Sequence, residues 1–167
     1  MKKHLTKLPF GLEGEVYRSP LPFSRMFDPY GELIDAYQAA GIDVVVMLTP
    51  IEEVIRMSGV DLMARYDELG LEIIHAPIED FSTPRKGVLN LPIKQALAAA
   101  QKGKNIVIHC HAGIGRTGLF TACLAMVIFG LPAEEAVKWV RRYIPSAVEN
   151  EAQLIFIRDF EYPGMLG

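Results

Sequence analysis

Residues 105–118 read Asn-Ile-Val-Ile-His-Cys-His-Ala-Gly-Ile-Gly-Arg-Thr-Gly. In the run Asn105–Ile108, the residues Ile106, Val107 and Ile108 are apolar and β-branched, the pattern of a strand buried on both faces. An apolar helical run begins after Thr117 and lasts to Phe129, where Gly130 offers a stop. Between strand and helix lie Cys110 and Arg116, six positions apart, with glycines at 113 and 115. A strand, a tight loop and a helix N-terminus in that order make an anion site. The loop N–H groups converge, and the helix dipole adds partial positive charge. Arg116 adds a planar fork that grips two oxygens at once. A cysteine at the floor of such a loop is placed to attack a bound phosphoryl group.

Working outward from this stretch, the chain alternates strand and helix signals. Residues 1–30 are Pro-rich and read as irregular, with a short strand around Glu15–Tyr17. Glu32–Ala40 has helical spacing and ends at Gly41. Val44–Leu48 is a continuous β-branched run, read as a buried strand. Glu52–Arg56 reads as a short helix and Asp61–Leu69 as a longer one. Leu71–His75 is a strand, Leu89–Gln101 a helix, and Asn105–His109 a further buried strand. Helices are expected over Thr117–Phe129, from Pro132 to about Tyr143, and over Glu149–Phe160. This order implies an α/β three-layer sandwich whose central, mostly parallel sheet is flanked by helices. Ligands bind beyond the carboxyl ends of such strands, so the loops after His75 and after His109 can meet at one edge.

The chain has 167 residues, half of them hydrophobic, which predicts one domain over 1–167 with a sizeable core, residues 1–14 being a poorly ordered N-terminal segment. A net charge of −3 argues against a nucleic-acid binder that works through a broad basic surface. Two cysteines, Cys110 and Cys123, make neither a disulfide framework nor a zinc spacing. A nucleophilic cysteine needs a reducing compartment, so a cytoplasmic location is expected. The N-terminus lacks the apolar core of a signal peptide. The apolar run Leu119–Leu131 is too short to span a bilayer, so no membrane association is expected.

The decapeptide His109–Gly118 resembles the signature loop of the cysteine-dependent protein tyrosine phosphatase superfamily: His-Cys, five residues, Arg, then Ser or Thr, usually followed by Gly. Three more stretches extend the likeness. Pro77-Ile78-Glu79-Asp80-Phe81-Ser82-Thr83-Pro84 resembles the general-acid segment in the compact dual-specificity form. Val148-Glu149-Asn150-Glu151-Ala152-Gln153 resembles the segment where many members place a water-orienting glutamine. Tyr17-Arg18-Ser19-Pro20 resembles the start of the domain.

The residues themselves and the resemblance together assign the following expectations. Cys110 is the nucleophile; a free thiol has a pKa of about 8.5, and the loop amides, Arg116 and the helix dipole favour its thiolate. The bland alternative is a small buried hydrophobe. Arg116 binds two phosphoryl oxygens and stabilises transition-state charge. Its alternative, a surface cation at a helix start, is disfavoured by the dipole unless an anion is bound. The resemblance implies that Thr117 donates to the Cys110 sulfur, where the residues alone suggest a helix N-cap. A tyrosyl leaving group with a pKa near 10 leaves slowly without a proton, and the resemblance implies that Asp80 is the general acid that supplies it. Glu79 competes with Asp80 for that role, and a solvated loop carboxylate is the alternative for both. Gln153, with Asn150, orients the attacking water by the resemblance, or is an ordinary polar residue of a first helical turn. His111, Ala112, Gly113, Ile114 and Gly115, with Arg116, form the substrate-binding loop, the specificity resting on His111 and Ile114. The resemblance gives His109 a loop-shaping role, against a plain core histidine. His75 and Cys123 read as packing residues; a reversible Cys110–Cys123 disulfide is a further option. Arg18, Arg25, Arg85 and Lys86 are expected to rim the pocket and attract phosphorylated substrates.

The expected activity is hydrolysis of phosphotyrosine, and of phosphoserine and phosphothreonine too, through a phospho-cysteine. No metal and no cofactor take part. The expected partners are phosphorylated proteins or peptides, with phosphate- or sulfate-like anions in the site; no nucleic acid is expected, and the chain is read as a monomer. Three alternatives stay open: a phosphoinositide or RNA-triphosphate phosphatase of the same superfamily, a non-catalytic phospho-binding module, and a sulfur-transfer or arsenate-reducing enzyme with a similar loop.

Overall fold

A computed structural model describes residues 5–164. A five-stranded sheet in the order β1-β2-β5-β3-β4 forms the middle layer. Its strands are β1 (Thr6–Leu8), β2 (Val16–Ser19), β3 (Val44–Met47), β4 (Glu72–His75) and β5 (Ile106–His109). β1 pairs antiparallel with β2, and every other pairing is parallel. Two expectations for the N-terminal region are corrected here. Thr6–Leu8 is an edge strand rather than part of a poorly ordered segment, because its register against Val16–Arg18 satisfies its backbone and Leu8 plugs the core. The second strand runs to Ser19, two residues beyond the sequence-based boundary, because the parallel ladder with Ile106–His109 continues that far. Residues 1–4, also assigned to the N-terminal segment, lie outside the described residues.

β3 and β5 are the central strands, and each is wholly buried, as their β-branched runs require. Alternate side chains serve two cores. Val44, Val46, Ile106 and Ile108 meet α4 (Asn90–Gln101), α5 (Gly115–Phe129), α6 (Ala133–Arg141) and α7 (Glu151–Asp159). Val45, Met47 and Val107 face α1 (Glu32–Ala39), α2 (Ile51–Ser58) and α3 (Leu62–Glu68). These are the three layers expected of the sequence. α5 is the central helix of its layer, with every residue from Gly115 to Met126 buried. It begins two residues before the expected start, which places Arg116 and Thr117 inside its first turn. α2 likewise outruns its sequence estimate at both ends.

The parallel strands all point their carboxyl ends the same way. β2 ends at Arg18–Ser19, β3 leads through Thr49–Pro50 into α2, β4 leads into the Asp80 loop, and β5 ends on His109–Cys110. Residues far apart in sequence therefore gather beyond one sheet edge.

Candidate active site

Cys110 follows β5 directly and is 2% exposed. The loop after it turns through Gly113, whose φ is +76°, and enters α5 at Gly115. A side chain at Gly113 would overlap the Ser19 carbonyl behind it. One at Gly115 would put its Cβ 2.7 Å from the Glu149 carboxyl. Gly113 is therefore needed where it stands, for its left-handed backbone and its rear contact, whereas a side chain at Gly115 would displace the Glu149 carboxyl.

The carbonyls of this loop are taken from behind. Leu21 N–H donates to the His111 carbonyl at 2.8 Å. Arg18 donates to the Ala112 carbonyl at 3.0 Å and doubly to that of Gly113 at 3.0 and 2.7 Å. With three successive carbonyls held outward, the peptide planes turn their N–H groups toward a cup of about 170 Å³. Cys110, Arg116 and Ala112 line the cup, Asp80 and Glu149 face it from two other loops, and Met26, Phe27 and Phe81 add apolar wall.

Arg116 is 2% exposed and its donors are divided in a definite way. Nη1 donates to Glu53 Oε1 at 3.0 Å and to the Ile78 carbonyl at 2.9 Å, and Nη2 donates to Glu53 Oε2 at 2.7 Å. A guanidinium has five N–H bonds. The Nε–H and the second N–H of Nη2 remain, along one edge of the fork, and Asp80 Oδ1 lies 3.3 Å from that Nη2. The edge matches a two-oxygen grip on a phosphoryl group. Burial works against the charge on Arg116, but hydrogen bonds and charge from Glu53, with the Cys110 and Asp80 charges, carry its proton affinity upward.

Thr117 Oγ1 donates to Cys110 Sγ at 3.1 Å, the contact that the resemblance implied. Thr117 is not the cap of α5, since Ile114 holds that position. His109 is fully buried, and one ring nitrogen, Nε2, is 2.8 Å from the Tyr66 hydroxyl. Burial lowers its pKa to about 4, so the imidazole is neutral at pH 7. His75 Nε2 meets the Thr49 carbonyl at 2.9 Å. Cys123 is fully buried, and burial raises its thiol pKa far above the usual range. Both cysteines are free.

Several expectations change. Gln153 does not reach the cup: it is fully buried, and its Oε1 accepts the Glu149 backbone N–H at 2.7 Å. Asn150 caps α7 by accepting from Gln153 N–H at 2.9 Å, and its Nδ2 donates to the Phe81 carbonyl at 3.0 Å. The pair therefore helps to fix the frame of the cup, and Gln153 Nε2 is buried with no hydrogen-bond partner among the described residues. Ile114 packs onto the core, leaving His111 alone of the two specificity candidates on the cup wall. His111 lies against Phe27 at 5.1 Å between ring centres, with Nε2 3.0 Å from Ser24 Oγ. Partial burial leads in lowering its pKa. Glu79 is exposed and does not line the cup, whereas Asp80 does. Arg18 is buried behind the loop instead of rimming the pocket. Arg25, Arg85 and Lys86 are absent from the cup wall; Arg25 donates to the Arg56 carbonyl at 2.8 Å and Lys86 pairs with Glu161 at 3.6 Å.

Three residues of the site have a place that the sequence does not show. Glu53, the Arg116 partner, is 63 positions away from it and lies in a helix with no local signature. Arg18 reads in the sequence as part of the Tyr17–Pro20 stretch and as a rim charge, not as a partner of the cysteine loop. Glu149 shares the segment of Gln153; partial burial, then the Asp80 charge, raise its carboxyl pKa, with Arg116 opposing. Two carboxyls, Asp80 and Glu149, thus line the cup.

Comparisons with known proteins agree with this geometry. A family model described as "Polymorphic toxin system, DSP-PTPase phosphatase" matches residues 24–131. The mouse protein tyrosine phosphatase domain-containing protein 1 is 29% identical over 147 residues, 83% of this chain and 19% of that protein. The human dual specificity protein phosphatase CDC14C is 30% identical over 94 residues, 56% of this chain and 20% of that protein. The chain spans a fifth or less of the length of these curated relatives. Among solved structures, a mutant form of Tk-PTP is 30% identical, with a TM-score of 0.74, over 87% of this chain and 89% of that one. The kinase associated phosphatase reaches a TM-score of 0.85 at 18% identity, covering 93% of this chain and 92% of that one, a likeness of fold. A family model that spans the acid loop, the cysteine loop and the whole of α5 leaves one assignment: the chain belongs to the DSP-PTPase family of cysteine-dependent phosphatases.

Proposed function

We propose that the protein is a metal-independent protein phosphatase that hydrolyses phosphotyrosine, and phosphoserine and phosphothreonine too, through a phospho-cysteine in a reducing, cytoplasmic setting. The observation that carries the reading is the Nε–Nη2 edge of Arg116. It holds no hydrogen bond to Glu53 or Ile78, Asp80 Oδ1 lies 3.3 Å from its Nη2, and Arg116 lines the cup that Cys110 floors.

In the first step Cys110 Sγ forms a bond to phosphorus as the bond to the leaving oxygen breaks. Asp80 gives that oxygen its proton. Arg116 and the loop amides hold the three equatorial oxygens as charge spreads over them. In the second step a water oxygen bonds to phosphorus and the S–P bond breaks. The water proton goes to the Asp80 carboxylate, and the Thr117 hydroxyl supports the departing thiolate. The cysteine supplies the nucleophile and Arg116 the positive charge, so no step calls for a metal. The apolar wall of Met26, Phe27 and Phe81 suits an aryl group.

The test is a panel of phosphotyrosyl, phosphoseryl and phosphothreonyl peptides, a phosphoinositide and a triphosphate RNA end, assayed with and without EDTA. Turnover of the peptides, insensitive to EDTA and abolished in Cys110→Ser, is expected. Preference for the lipid or the RNA overturns the protein-substrate reading. pH profiles of Asp80→Ala, Glu79→Ala and Glu149→Gln then assign the proton donor. Loss of the proton-donor limb is expected in Asp80→Ala, and its loss in another variant alone overturns that role.

A further inference from the structure

We propose that Arg18 is the positioning residue of the anion cup: its guanidinium holds the Ala112 and Gly113 carbonyls on the rear face, so that the loop amides point at the phosphoryl group. Three observations lead there. Arg18 gives three hydrogen bonds of 2.7 to 3.0 Å to two successive carbonyls of the cysteine loop. It is 9% exposed, although it sits at the C-terminal end of a strand, where an unengaged arginine would extend into water. Among the described residues it has no carboxylate partner, whereas Arg116 is bound by Glu53 through both oxygens.

A buried cation paired only with neutral carbonyls is costly, and that cost needs a return. The Arg18 contacts supply it in geometry. A peptide plane has its carbonyl and N–H on opposite edges, so fixing one aims the other. At Gly113 the left-handed backbone and the Arg18 grip together admit only the orientation with the carbonyl to the rear. Arg18 also adds positive charge below the loop. Burial lowers its own proton affinity, and the Cys110 charge opposes that change, so the guanidinium and the sulfur are electrostatically coupled. Arg116 grips the oxygens from the front, and Arg18 aims the amides from behind.

This role rests on the reading of the cup as a phosphoryl site, and the experiment separates the two. Inhibition by inorganic phosphate and the kcat and KM for an aryl phosphate are measured for wild type, Arg18→Met, Arg18→Gln and Arg18→Lys. Each is assayed well below its own melting temperature, so that only folded protein is compared. Arg18→Met and Arg18→Gln are expected to weaken phosphate on the order of tenfold, with a matching rise in KM. Arg18→Lys, which keeps the charge and one donor, falls between them and wild type. A neutral variant with a lowered melting temperature but wild-type phosphate affinity makes Arg18 merely structural and overturns the proposal. Wild type that binds no phosphate sinks the phosphatase reading instead. A measurement on the unaltered protein completes the test if the variants do not fold: the Arg18 Nε–H should exchange slowly with water by NMR, and free exchange contradicts the clamp.

Discussion

Glu53 holds the Arg116 guanidinium of the cup, and Thr117 donates to the Cys110 sulfur. Glu53 is 4% exposed and faces the Arg116 fork with both oxygens. Glu53→Gln keeps the shape but leaves a buried guanidinium without its counter-charge, and breaking a buried pair from one side costs about 3–5 kcal/mol. Urea unfolding at pH 7 should show a loss of that order, and a loss of under about 1 kcal/mol would mean that Asp80 or water compensates the charge. Thr117→Val is milder in volume and sharper in chemistry. It removes the hydrogen bond to Sγ, worth about 1.5–3 kcal/mol to a charged sulfur, or roughly 10- to 100-fold in rate. In the proposed mechanism the sulfur carries that charge as the leaving group of the second step. Thr117→Val should therefore lower kcat more than kcat/KM, with a pre-steady-state burst of phenolate; equal losses in both place the contact in the first step instead.

At the scale of elements, the acid loop and α7 are joined by one side chain. Asn150 caps α7 through Oδ1 and pins the Phe81 carbonyl through Nδ2, next to Asp80. Phe81 has a φ of +58°, an unfavourable backbone for a bulky residue, so the pin offsets local strain. Asn150→Ser separates the two functions, because serine caps as well as asparagine but cannot reach Phe81. The melting temperature should stay close to wild type. Turnover of a phosphotyrosyl peptide, whose leaving group needs a proton, should fall severalfold. Turnover of p-nitrophenyl phosphate, a better leaving group, should fall much less; equal losses would show that the pin acts on binding rather than on Asp80. This is also where the sequence stopped being legible. Residues 105–129 declared strand, loop and helix because every local preference in them agreed: β-branched residues, then glycines, then an apolar helical run. Cys110, Arg116 and the loop itself could be read from them. The Asn150–Phe81 contact joins positions 69 apart. Glu53 to Arg116 and Arg18 to Gly113 span 63 and 95. No local pattern marks such partners, and Gln153 looked catalytic because its segment was right while its side chain turned inward.

For the molecule as a whole, the sheet edge that gathers the site also buries a titratable group. His109 packs against Tyr66 with no exposed surface, and burial leads in lowering its pKa to about 4 from 6.5 in the unfolded chain. Hydrogen bonding toward the Cys110 carbonyl opposes that shift, and His75 and Arg116 add to it. Above pH 6.5 the imidazole is neutral in both states, and its contribution to stability is fully present. As pH falls from 6.5 toward 4, the unfolded chain takes up a proton that the folded protein refuses, so stability is lost across that window. The loss amounts to about 3 kcal/mol at most. His109→Gln places a neutral side chain in the same position and removes this term, whatever it does to stability at pH 7. The difference between the urea midpoints should therefore shift in favour of the variant as pH falls from 7 to 4, the wild type declining faster. Parallel declines would assign the acid sensitivity to the carboxylates and leave His109 charged or hydrated in the folded protein.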